Sequence, residues 1–122
     1  MHHTPAESKE LVRRYHDAWS NRRFNEAVGL LADNLRVEVP INDYPTRESF
    51  AHALVAFGSM VERVELLSEL AGEGEAMLLY DATVAGLGQM RIVEHFMLER
   101  GRIVCLRQVH DTATIRAAGL GA

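Results

Sequence analysis

The chain is poor in the residues that build special frameworks. One cysteine, Cys105, stands among 122 residues, so no internal disulfide can form. No apolar stretch approaches the ~20 residues of a membrane span, and the opening MHHTPAESKE lacks the apolar core of a signal peptide. Basic charge is not in surplus: 13 Lys and Arg face 17 Asp and Glu, for a formal net charge of −4. With no basic run either, nucleic acid is excluded as the expected partner. There is no phosphate-cradling glycine motif, and His2, His3, His16 and His52 do not stand at metal-ligand spacing. No metal and no other cofactor is called for. These absences leave a soluble, cytoplasmic protein that meets neither membrane nor nucleic acid.

What is present is ordinary globular material, 48% apolar and 25% charged. The length suits one domain over residues 1–122, with 1–4 and 113–122 as fraying ends. Helical signals fill the first third. Thr4, Pro5 and Glu7 match a capping box with proline at the first helical position, and Leu11, Tyr15, Ala18 and Trp19 recur on one helical face. A shorter helix follows with Phe24, Val28 and Leu31 inward. LRVEVP (35–40) alternates as a strand, and INDYP is turn chemistry. Thr46 can cap a third helix that carries Phe50, Leu54 or Ala53, and Phe57 inward and ends at Gly58. Four strands are then expected near 61–71, 76–85, 89–99 and 102–111. Gly-containing turns join them, which makes neighbours antiparallel. Helices followed by a run of such strands is an α+β order.

Several strands are apolar on both faces. Val93 and Met97 oppose Ile92 and Phe96, and Val104 and Leu106 oppose Ile103, Cys105 and Val109. Three helices cover only one face of such a sheet, so a second copy of the chain is expected on the other, giving a homodimer through the outer sheet face. Asp81 and His95 alternate towards that outer side, and Cys105 reads as a small strand hydrophobe.

One strand carries a misfit. In RIVEHFMLE (91–99), Ile92, Glu94, Phe96 and Leu98 share a face. A buried carboxylate must pair, hydrogen-bond or take up a proton. The strings LVRRYHDAWSNRRFNEAVGLLADNLRVEVP, TRESFAHAL and RIVEHFMLERGRIVCLRQVHD together resemble the SnoaL-like branch of the NTF2-like superfamily, over roughly residues 8–111. The resemblance implies three N-terminal helices in the concave face of a curved, mostly antiparallel sheet, a cone with an apolar pocket at its open end. It also implies a range of chemistries, among them ketosteroid isomerases, polyketide cyclases, epoxide hydrolases and scytalone-dehydratase-like enzymes. Against the isomerase pattern, Tyr15 in RRYHDAW matches the first-helix tyrosine and Glu94 in VEHF the protonated acid. The base position is Val39, which cannot take a proton, and Glu38 alternates to the opposite face.

The last strand offers a substitute base. If Val104, Leu106, Gln108 and His110 line the pocket, His110 joins Glu94 and Tyr15 as the catalytic set. A desolvated Glu94 could stay protonated and, with Tyr15, donate to a carbonyl or enolate oxygen while His110 moves a proton. Trp19, Val39, Asp43, Phe57, Tyr80, Phe96, Leu106 and Gln108 complete the expected substrate-binding wall. For Asp43 the competing role is turn formation; for the aromatic residues it is core packing. Two hairpin registers stay open. A three-residue loop, 99–101, sets Glu94 opposite Leu106 and turns it into the pocket. A two-residue loop, 100–101, sets it opposite Arg107 as an ion pair. The resemblance favours the inward direction. Three function classes also stay open: a cofactor-free isomerase, cyclase or dehydratase acting on a small apolar carbonyl compound, a non-catalytic binder of such a molecule, and a structural dimeric domain.

Overall fold

The computed structural model describes residues 3–119. Helix α1, Pro5–Ser20, starts on a capping box: Glu7 N–H donates to the Thr4 hydroxyl, and Thr4 N–H to the Glu7 carboxylate. Leu11, Tyr15, Ala18 and Trp19 form its buried stripe. Helix α2, Phe24–Gly29, is short. Leu31, expected on its inner side, instead opens strand β1, Leu31–Glu38. Helix α3, Arg47–Met60, has a second capping box, built by Thr46 and Ser49. Strands β2 (Val61–Gly72), β3 (Glu75–Val84), β4 (Gly88–Glu99) and β5 (Arg102–Val109) follow, then α4, Ala113–Ala117. Among the described residues no helix is long and apolar enough to cross a membrane.

The strands form one sheet in the order β1-β5-β4-β3-β2. The three hairpin-joined pairs are antiparallel, and β1 closes the edge by running parallel to β5. Helices α1 and α3 lie over one face, and α1 packs chiefly on β2. The architecture is α+β, with the helices set against a curved, open sheet.

Gly58 does not end α3. It lies inside the helix, where an added Cβ would come within 2.5 Å of the Phe24 ring. The glycine therefore serves close packing of α3 on α2, and the helix runs on for another half turn. His3 O accepts from Gly74 N–H and His3 Nε2 from Gly101 N–H, which ties the N-terminal segment to two turns. Residues 113–117 form α4. Residues 1–2 and 120–122, also expected to fray, lie outside the described residues.

The β4–β5 hairpin follows neither expected register. Its loop is the two-residue one: Arg100 and Gly101 have φ of 51° and 76°, the left-handed pair that suits a tight hairpin. Glu99 then faces Arg102 and Leu98 faces Ile103, but Met97 faces Cys105. Val104 is an extra residue, a β-bulge. It shifts the pairing by one, so Glu94 lies opposite Gln108 and Arg107 opposite His95. Glu94 thus points inward and makes no pair with Arg107, whose guanidinium donates to Glu38 at 3.0 Å and to His95 Nδ1 at 3.3 Å.

Candidate functional site

A cavity of about 120 Å³ lies between α3, the ends of β4 and β5, the segment after β1, and α4. Its floor on α3 is Phe50, Ala53, Leu54 and Phe57, the i, i+3, i+4, i+7 row of one helical face. Met90 and Ile92 come from β4, Gln108 from β5, His110 from just beyond it, and Ile115 from α4. The rim after β1 supplies Val39, Pro40, Asn42 and Tyr44. Between them Ile41 has φ 74°, and Asn42 N–H donates back to Pro40 O at 2.8 Å. This is a γ-turn with a left-handed centre, a strained conformation for a β-branched residue. It occurs where the chain crosses the cavity mouth.

The polar groups of the wall have defined directions. Gln108 Nε2 donates to Glu94 Oε2 at 2.8 Å, and His110 Nδ1 lies 3.1 Å from the Asp111 carbonyl oxygen. A carbonyl only accepts, so in neutral His110 the proton sits on Nδ1 and the lone pair on Nε2.

Glu94 itself is behind the wall. It is 1% exposed and sits in the alternating row of Ile92, Phe96 and Leu98, all buried. Burial pushes its carboxyl up to about 7, although hydrogen bonding from Gln108 and Tyr80 favours the charged form. Among the described residues its Oε1 has no partner. Tyr15, fully buried with its ring edge-on to Phe96 at 5.8 Å, also has an unpartnered hydroxyl. Burial and then the neighbouring Glu94 charge hold that phenol well above its ordinary range. The same two causes act on Tyr80.

The expected catalytic trio is therefore divided. His110 lines the cavity, whereas Glu94 and Tyr15 are absent from its lining, and of these two Glu94 reaches it through Gln108. Of the expected binding wall, Val39, Phe57 and Gln108 line the cavity. Trp19, Tyr80, Phe96 and Leu106 belong to the buried core. Trp19 packs 5.8 Å from Tyr80 and 6.0 Å from Phe57, ring centre to ring centre. Asp43 is exposed beside the rim. Sequence reasoning missed Tyr44, Met90 and Ile115 as lining residues. Met90 continues the inward row of β4 by two, and Ile115 is a large apolar side chain in a small, polar stretch. Either cue could have found them. Among the described residues no three His, Cys, Asp or Glu side chains gather as a metal site requires.

Comparison with known proteins fits this fold. Residues 12–106 match the family model of the SnoaL-like domain. A solved protein from Kribbella flavida superposes with a TM-score of 0.85 at 24% identity, over 90% of this chain and 91% of its own. An NTF2-like protein of unknown function from Cytophaga hutchinsonii gives 0.77 at 17% identity, covering 89% and 94%. An LEH-like epoxide hydrolase from M. tuberculosis gives 0.74 at 19% identity, covering 93% and 89%. No curated protein matches the chain. Identities this low carry the fold and no activity. The matched span runs from α1 through the bulged strand β5, and the chain belongs to the SnoaL-like domain family.

Proposed function

We propose that the chain binds a small, mostly apolar molecule, one ring or a short branched chain, in the α3–β4–β5 cavity, without a cofactor. The observation that carries this reading is an apolar space of about 120 Å³ with Gln108 and His110 together on one wall. An engineered apolar cavity of ~150 Å³ holds benzene, while pockets for drug-sized ligands run from ~300 Å³ upward. A four-ring skeleton is too large for it.

The reading is tested by NMR titration with toluene and cyclohexanol. Shifts centred on Ala53, Ile92 and Gln108 are expected, and Ala53→Phe, which fills the space, should abolish them while the protein stays folded. Absence of any shift in the wild type overturns it.

A second reading, proton transfer to or from the bound molecule, is favoured by the basic Nε2 of His110 on the same wall. Solvent deuterium incorporation at the α-carbon of cyclohexanone measures it. Wild type should exceed His110→Ala by the ~10²–10⁴-fold typical of a positioned base; equal rates leave a binding domain. We also propose self-association through the outer sheet face.

A further inference from the structure

We infer that Gln108 and His110 make the β5 side of the cavity an acceptor wall, which selects a ligand carrying a hydrogen-bond donor, a small alcohol or phenol, over a ketone of the same size. The inference rests on the cavity being a ligand site and names what enters it.

Gln108 has one amide nitrogen and one amide oxygen to place. The nitrogen is engaged: Nε2 donates to the buried Glu94 carboxylate at 2.8 Å, a charge-assisted bond of the stronger kind. Above a pH of about 7 Glu94 is ionised; an ionised carboxylate only accepts, so there it cannot hold the amide the other way round. Gln108 lines the cavity, and the atom left for a ligand is its oxygen, an acceptor. His110 stands two residues on, and it too lines the cavity. Its Nδ1 proton belongs to the Asp111 carbonyl, which leaves Nε2 as an acceptor in the neutral ring. Two neighbouring polar groups, oriented by different partners, thus offer the same sign of hydrogen bond.

Glu94 acts here as a positioning residue. It is absent from the cavity lining and works by fixing which end of Gln108 the ligand meets. A buried carboxylate with one oxygen on Gln108 and the other unpartnered is otherwise a net cost to the fold. The other titratable groups about it are Tyr15 from α1 and Tyr80 from β3. Tyr44 and His110 stand on the cavity wall, and among the described residues no carboxylate or guanidinium lines it.

The test is a matched pair, cyclohexanol and cyclohexanone, with toluene as the apolar reference, titrated by NMR at pH 8.5. At that pH Glu94 is ionised. Wild type should favour the alcohol over the ketone at least about fivefold more than Gln108→Leu does, the worth of one net hydrogen bond. Glu94→Gln, which no longer dictates the amide's direction, should fall towards the Gln108→Leu ratio while still binding toluene. If wild type and Gln108→Leu show the same alcohol-to-ketone ratio, the acceptor wall is refuted and the cavity reading stands. If even toluene fails to bind, both fall together.

Discussion

Two buried ionisable side chains, Glu94 and His16, pull stability in opposite directions as pH changes. Burial raises the Glu94 carboxyl from 4.5 to about 7. The folded state then holds its proton longer than the unfolded chain, and this stability, complete below pH 4.5, is lost as pH rises to 7. Burial lowers His16 from 6.5 to about 4. Its imidazole is 3% exposed, edge-on to Tyr80 at 4.9 Å, with Nδ1 unpartnered. The unfolded chain therefore binds its proton first, and stability rises from pH 4 to 6.5. Each effect is worth about 3 kcal/mol when fully developed, and they oppose one another between pH 4.5 and 6.5. Glu94→Gln should leave a stability that climbs through that window, and His16→Phe one that falls. Urea denaturation at pH 4.5, 5.5, 6.5 and 7.5 measures both, and variant profiles parallel to the wild type would contradict the assignment. That Glu94 shares a row with Ile92, Phe96 and Leu98 was legible in the sequence from a two-residue period, whereas the direction of that row stayed open between two registers. Its partner Gln108 was not legible, because pairing across strands depends on something no alternation pattern records.

That missing information sits in single residues that adjust whole elements. Val104 is the extra residue of β5. Without it the two-residue Arg100-Gly101 loop would set Glu94 against Arg107. Hairpin counting assumes regular strands and cannot see a bulge whose residue is as apolar as its neighbours. The parallel partnership of β1 and β5 was likewise out of reach, since it joins strands far apart in sequence. The capping box at Thr4, the cap at Thr46 and the four strands were readable because each is a local pattern. Gly58 shows how a local rule misleads: glycine after an apolar helical face reads as a stop, yet here it makes room for Phe24. Substituting Gly58→Val should cost about 1–3 kcal/mol through overpacking. Phe24→Ala in the same chain should recover part of that loss, because the residues share one contact. Thermal melts of the two single variants and the double variant test it, and strictly additive losses would show that the clash is not with Phe24.

At the scale of the whole molecule, the helices cover one face of the sheet and leave the other bare. Met77 (β3) and Val109 (β5) stand out from it at 40% and 66% exposure. Leu79 lies opposite Val93, and Val93 opposite Val109, so the apolar side chains form a continuous row across three strands. Charged groups border the row, held in contacts across the strands. Arg91 grips Asp81 with two bonds of 2.8 and 2.9 Å. On the other side Glu38, Arg107, His95 and Glu75 link four strands in one chain of contacts. A rim whose charged groups are already tied up in contacts across the strands leaves the apolar strip as the part of this face that two-fold symmetry can pair with itself, which suits a homodimer. Light scattering on gel-filtered protein at about 50 μM should give twice the chain mass, and Val109→Asp, which places a charge in the middle of the row, should give the single mass. Val109 alternates away from Gln108 and His110, so the monomeric variant should bind cyclohexanol as the wild type does. A wild type that runs at the single-chain mass would refute self-association. A Val109→Asp protein that lost ligand binding along with the dimer would instead mean that the cavity's shape depends on the second copy.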